Sequence, residues 1–190
     1  HNAAILGPRT PLEQLSGDNF MRVMQINVNA AFMLTSTLLP LLKLSADASV
    51  VFTSSSVGRQ GRAYWGAYAV SKFACEGLMQ VLADEVEGIS QVRANSINPG
   101  ATRTDMRALA YPGENPASNP AAEDIMPLYL YGVLGILPPN IAKTAAGRAS
   151  CGFWRPITYR LSAGSHQSIP LNPQVLAIHL SVRMCIYPGG

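Results

Sequence analysis

Along the first 131 residues the chain switches between two hydrophobic rhythms. Short apolar runs end in hydroxyls, amides or Pro-Gly: "AAILG", "SVVFTSSS" and "QVRANSINPG". Their β-branched and alternating character predicts strands that open into loops. Between them lie two long stretches whose apolar positions recur every three to four residues. "NFMRVMQINVNAAFMLTSTLLPLLK" predicts a helix over Asn19–Lys43, with Ser16 or Asp18 as its cap and Pro40 kinking or ending it. It is apolar on nearly every side, so burial on more than one face is expected. "AYWGAYAVSKFACEGLMQVLADEVE" predicts a second helix over Tyr64–Glu87, closed by Gly88. Helices of this length between short apolar strands indicate an α/β fold with a parallel sheet. Ligands in such folds bind beyond the carboxyl ends of the strands, here "TSSS" and "NPGATRT".

Charge divides the chain at about residue 131. Residues 1–131 hold nine of the Lys/Arg and all eleven Asp/Glu, whereas residues 132–190 hold five basic residues and no acid. That tail is rich in Pro and Gly and keeps no period of 2 or 3.6. Two regions are therefore expected, 1–131 and 132–190, the second an atypical basic tail that is non-native or disordered. The net charge of +3 is too small to argue for nucleic acid, and the scattered tail cations lack interleaved aromatic platforms. Three cysteines, far apart and without a CxxC pair, fit a reduced, cytoplasmic setting. The three histidines show no metal-ligand spacing, so no metal is expected. Ile125–Leu137, the longest apolar run, contains Pro127 and is too short to span a bilayer.

The candidate chemistry centres on "GAYAVSKFA". Tyr68 and Lys72 stand four residues apart, hence on one helix face. An ammonium there helps a phenol give up its proton, although a solvated surface pair has the same spacing. Ser55 ends the run "VVFTSSS" thirteen residues before Tyr68, where a serine trio is also an ordinary turn. Asn27 sits within the apolar helix, and a buried amide must find partners, in a site or in the core. "NPG" is a turn in its own right, but it follows an apolar strand.

Taken in order, "HNAA", "INVNAAF", "VVFTSSSVG", "YAVSK" and "NPGATRT" resemble the short-chain dehydrogenase/reductase (SDR) family over residues 1–131. "MQINVNAAFMLT" and "AEDIMPLYLY" resemble its bacterial YciK-type branch. The resemblance implies a Rossmann-like, doubly wound parallel sheet and an NAD- or NADP-dependent oxidoreductase that interconverts an alcohol and a carbonyl. Tyr68 would then be the general acid/base, and Lys72 would favour the phenolate and hold the nicotinamide ribose. Ser55 would bond the substrate oxygen. Asn27, rather than Asn29, would hold a water of the proton relay. Pro99 and Gly100 would shape the loop against the nicotinamide, with Thr102 and Thr104 on its carboxamide or the phosphates, and Asn2 near the ribose. The partners implied are a small-molecule carbonyl or alcohol and a second copy of the chain, with neither nucleic acid nor membrane. Residues 105–126 fall where the family carries a substrate lid, and read equally as a surface loop.

Two departures accompany the resemblance. His1 and Ala4 replace the family's Asn and Gly, and no Gly-x-x-x-Gly-x-Gly run occurs. The first βαβαβ half, with its phosphate loop, is expected to lie before His1, which makes the chain an N-terminally truncated fragment. The acid-free tail is expected to come from a changed reading frame, a fusion or a replacement. A rival expectation is a catalytically inactive fragment whose two long helices remain as an oligomerisation or interaction surface.

Overall fold

A computed structural model of the chain describes residues 1–134 and 150–152. The contacts divide the chain into units 1–154 and 155–190, the second outside the described residues. Helix α1 (Gly17–Met24) is capped by Ser16, whose Oγ accepts the Asn19 amide at 3.3 Å. A π-turn, Gln25–Asn29, continues it into α2 (Ala30–Leu42). Strand β1 (Ala48–Thr53) leads through a short 3-10 turn to α3 (Gly66–Val86), which ends before Gly88 at φ +70°. Strand β2 (Val92–Asn98) is followed by α4 (Asp105–Ala110), α5 (Ala122–Leu134) and β3 (Ser150–Gly152).

β1 and β2 pair in parallel, from Ala48 opposite Val92 to Thr53 opposite Ile97. In β1 the side chains alternate: Ala48, Val50 and Phe52 are buried, and with Met79, Leu82 and Val86 of α3 they form the core. Ser49 lies on the other side of the strand, where its Oγ donates to the Gly132 carbonyl of α5 at 3.0 Å. Gly132 lets that helix approach, because a Cβ there would meet Ile97 at 2.7 Å. α3 and α5 thus both contact the parallel pair.

The structure corrects three expectations. The sheet is not wholly parallel, since β3 pairs antiparallel with β2, Gly152 opposite Ser96. A strand of three residues in a stretch without periodicity leaves no pattern from which its direction could be read. The first long helix is not buried on more than one side: Phe32, Met33 and Leu41 are 54%, 59% and 65% exposed. The described elements pack on its inner face, where Ala31 and Thr35 are buried, and leave the outer apolar face open. Lastly, the continuous helix Gly17–Leu42 is long and apolar enough, by length and composition, to cross a membrane, a span the run Ile125–Leu137 does not reach. The expected division at residue 131 falls within α5, and the remaining tail, apart from Ser150–Gly152, lies outside the described residues.

Candidate active site

The strand ends and the first half of α3 bring most of the expected residues together. β1 runs into Ser54 and Ser55, the latter fully extended at φ −155°, so its side chain projects at the carboxyl edge of the sheet. α3 opens opposite this edge and presents Tyr68, whose phenol comes within the electrostatic reach of the Ser55 side chain. One turn on, the buried Lys72 sends its Nζ to within 5.5 Å of the Tyr68 ring centroid. That Nζ donates to the Thr53 carbonyl at 2.7 Å, so the ammonium is anchored on the strand end and not on the phenol.

Burial dominates the electrostatics. It pushes the Tyr68 phenol up to about 12, against the downward pull of the Ser55 side chain. It also pushes the Lys72 ammonium below its ordinary range, opposed by Cys75 and Glu76. Removing a charge from water costs more than these neighbours return. In this arrangement Tyr68 is a protonated phenol at neutral pH, a donor in waiting.

Asn27 is placed by the π-turn, whose extra residue per turn swings the amide inward; such turns recur at functional positions. Its Nδ2 donates to the Ile5 carbonyl at 3.0 Å and to Ser71 Oγ at 2.9 Å, and its Oδ1 accepts the Ile5 amide at 2.8 Å. Ser71 Oγ in turn donates to the Tyr68 carbonyl at 2.8 Å. Asn27 therefore reaches Tyr68 through Ser71, with both amide hydrogens in use. Its own carbonyl accepts the Cys75 thiol at 3.3 Å. Asn29 is exposed, and its side-chain amide donates to Gln25 Oε1 at 2.8 Å.

The turn after β2 is built differently. Asn98 Oδ1 accepts the Gly100 amide at 3.1 Å, and Gly100 sits at φ +74°, a conformation glycine adopts without strain. Pro99 and Gly100 are half-buried beside it. Thr102 is 8% exposed, and its Oγ1 is buried with no hydrogen-bond partner among the described residues; Ser54 Oγ is in the same position. Thr104 is exposed and engaged as the cap of α4, its Oγ1 accepting the Arg107 amide at 3.2 Å. Asn2 is exposed and its side chain joins none of these bonds.

Sequence reasoning missed three members of this cluster. Ser71 stands between Tyr68 and Lys72 in the motif itself, and its small size in a helix interior was the available signal. Thr53 of β1 and Tyr129 of α5 meet, Oγ1 to Oη at 3.0 Å, which no local pattern announces.

Comparison with known proteins agrees with the geometry. The family model described as short chain dehydrogenase matches residues 1–115. The oxidoreductase YciK of Escherichia coli (strain K12) is 60% identical over 131 residues, 69% of this chain and 51% of that protein. A short chain dehydrogenase from Pseudomonas syringae superposes with a TM-score of 0.68 at 75% identity, over 70% of this chain and 53% of that one. One from Shigella flexneri, complexed with NADP, gives 0.67 at 60% identity, over 70% and 54%. The chain spans about half the length of the curated relatives it matches. With Tyr68, Lys72, Ser55 and the Asn98–Gly100 turn converging at one sheet edge, and more than half of the sequence matched, the chain belongs to the short-chain dehydrogenase family.

Proposed function

We propose that the protein is an NADP-dependent oxidoreductase that interconverts a carbonyl and an alcohol, with Tyr68 as the proton donor and acceptor. The observation that carries this reading is the convergence of Ser55, Tyr68 and Lys72, with the Ser55 side chain close enough to lower the Tyr68 pKa and Lys72 Nζ 5.5 Å from the Tyr68 ring. NADP in the Shigella flexneri structure supports that cofactor. The residues present fit its nicotinamide end: the partnerless Thr102 hydroxyl lies just beyond the Asn98–Gly100 turn, and Lys72 carries a buried cation. Thr102, Pro99, Gly100 and Lys72 would hold it, with Thr104 kept to capping α4. When bound, the nicotinamide supplies or accepts the hydride.

The chain's own residues handle the proton. Ser55 Oγ orients the substrate oxygen, and Tyr68 Oη gives that oxygen its proton in the direction of reduction. The phenolate left behind is a buried anion, and Lys72, released from the Thr53 carbonyl, neutralises it. Asn27 and Ser71 hold the backbone of Tyr68 still, so Asn27 acts as a positioning residue.

The test uses protein expressed from the whole gene and NADPH consumption with a panel of small aldehydes and ketones. Tyr68→Phe, which keeps the ring and removes the hydroxyl, lowers turnover by about 10²–10⁴-fold, the usual worth of a positioned acid. Equal rates for the two proteins would end the assignment.

A second reading rests on exposed apolar faces. α3 carries Val70, Phe73 and Val81 on one exposed stripe, and α2 adds Phe32, Met33 and Leu41. We infer that a second copy of the chain covers these faces. Sedimentation of the wild type as a dimer or larger, and of Phe73→Glu as a smaller species, supports it; a wild-type monomer contradicts it.

A further inference from the structure

The wall that leads away from Tyr68 is aromatic and ends in a cation. The Trp65 ring lies 5.8 Å from the Tyr68 ring and 5.9 Å from the Tyr111 ring, centroid to centroid. Over this pair sits the Arg9 guanidinium, 4.6 Å from the Trp65 centroid and 5.3 Å from that of Tyr111. One of its nitrogens donates to the Ala110 carbonyl. Arg9 is exposed and has no carboxylate partner among the described residues.

Arg107 makes the comparison. Its guanidinium also lies over Tyr111, at 3.8 Å, but its fork is filled by Glu114 through bonds of 2.5 and 2.6 Å. Of two arginines on the same ring, one is neutralised within the chain and the other is not. A guanidinium presents five N–H donors in a plane, and stacking on aromatic faces leaves its edge available to an anion. The Ala110 bond occupies one donor and brings no charge. Water solvates the exposed guanidinium in the free protein, and a ligand anion that displaces that water gains a charge-assisted contact.

We propose that Arg9 is a specificity-determining residue that selects carbonyl substrates bearing an anionic group, a carboxylate above all, on a flat body that lies along Trp65. This rests on the reading of Tyr68 as the proton donor, which sets where the reacting carbonyl must sit. The carbonyl is held at the Tyr68 and Ser55 hydroxyls, the body packs on the Trp65 ring, and the anion meets the Arg9 fork. Arg107, already paired, contributes its ring contact with Tyr111 and no net attraction.

The test pairs para-carboxybenzaldehyde with its methyl ester, using protein from the whole gene and NADPH. In the wild type kcat/KM is higher for the acid by about tenfold or more, the worth of one charge-assisted contact. Arg9→Gln brings the acid-to-ester ratio to near one and leaves the KM for NADPH unchanged. Arg9→Lys, which keeps the charge without the fork, retains part of the preference, and Arg107→Gln retains all of it. A readout independent of turnover is calorimetric binding of benzoate against benzamide: benzoate binds the wild type more tightly, and Arg9→Gln removes the difference. The proposal is overturned by an ester used as well as the acid, or by a ratio that survives Arg9→Gln. It is also overturned if Arg9→Gln raises the KM for NADPH, because the guanidinium then serves the cofactor. Benzoate binding through Arg9 in a protein that reduces no carbonyl would sink the oxidoreductase reading and leave the anion site standing. Turnover without Arg9-dependent discrimination would do the reverse.

Discussion

The candidate site has two unlike flanks. On one, Asn27, Ser71 and Ile5 form a closed network in which the amide's oxygen and both its hydrogens are matched at 2.8–3.0 Å. On the other, Thr102 and Ser54 bury hydroxyls that find no partner among the described residues. A satisfied network rigidifies, because breaking any member exposes the desolvation cost of the rest. A buried hydroxyl without a partner is a cost the fold carries, of about 1–3 kcal/mol, and it is recovered by whatever bonds it. The first flank is therefore built for position and the second for binding. Substitutions on the two should separate stability from cofactor affinity.

Outside Tyr68 itself, the largest effect is expected at Lys72, whose Nζ lies 5.5 Å from the Tyr68 ring and bonds the Thr53 carbonyl. Lys72→Met lowers NADPH-linked turnover by about 10²–10³-fold, within the range of a positioned proton-transfer group. The same change raises the melting temperature near neutral pH. Burial holds the folded-state Lys72 below its ordinary 10.5, so the unfolded chain binds that proton more tightly. The cost is full at pH values below the folded pKa and fades as pH climbs towards 10.5, so wild type and Lys72→Met should converge in stability at alkaline pH. A Lys72→Met protein that melts lower at neutral pH would contradict this ledger.

Asn27→Leu comes next. It leaves the Ile5 amide and carbonyl without their side-chain partner, at a cost of about 2–4 kcal/mol by urea unfolding. A loss below about 0.5 kcal/mol would show that the network does not hold the π-turn.

The two threonines of the turn give the smallest and most discriminating pair. Thr102→Val keeps the shape and removes the partnerless hydroxyl, so stability is unchanged or rises by up to about 1 kcal/mol while the KM for NADPH climbs about fivefold. Thr104→Val removes a helix cap and costs about 1 kcal/mol of stability, with the KM for NADPH unmoved. Opposite behaviour of the pair would reverse the assignment of the binding flank.

The placement of several residues was readable from local spacing, which fits a surface pair equally well, whereas their roles came from the family resemblance. Tyr68 and Lys72 share a face because helix geometry brings every fourth residue round, and Ser55 reaches them because a strand delivers its last side chains to the sheet edge. Asn27 was conspicuous as an amide among apolar neighbours. Its mode of action was not, since Ser71 and Ile5 become its partners only when α3 and the opening segment fold against it. Periodicity announced the helix through Asn19–Lys43 but could not say that its outer face would stay open, because coverage depends on neighbours distant in sequence or absent from the chain. The Arg9, Trp65 and Tyr111 wall joins residues from three separate segments, and no single window contains it.

The most direct test needs no substrate. The ultraviolet difference between wild type and Tyr68→Phe isolates one phenol among seven tyrosines. With burial holding Tyr68 at about 12 and Lys72 anchored on Thr53, the two proteins without cofactor should show the same tyrosinate absorbance from neutral pH to about pH 10. A tyrosinate that belongs to Tyr68 and titrates between pH 7 and 8 in the free protein would contradict the account.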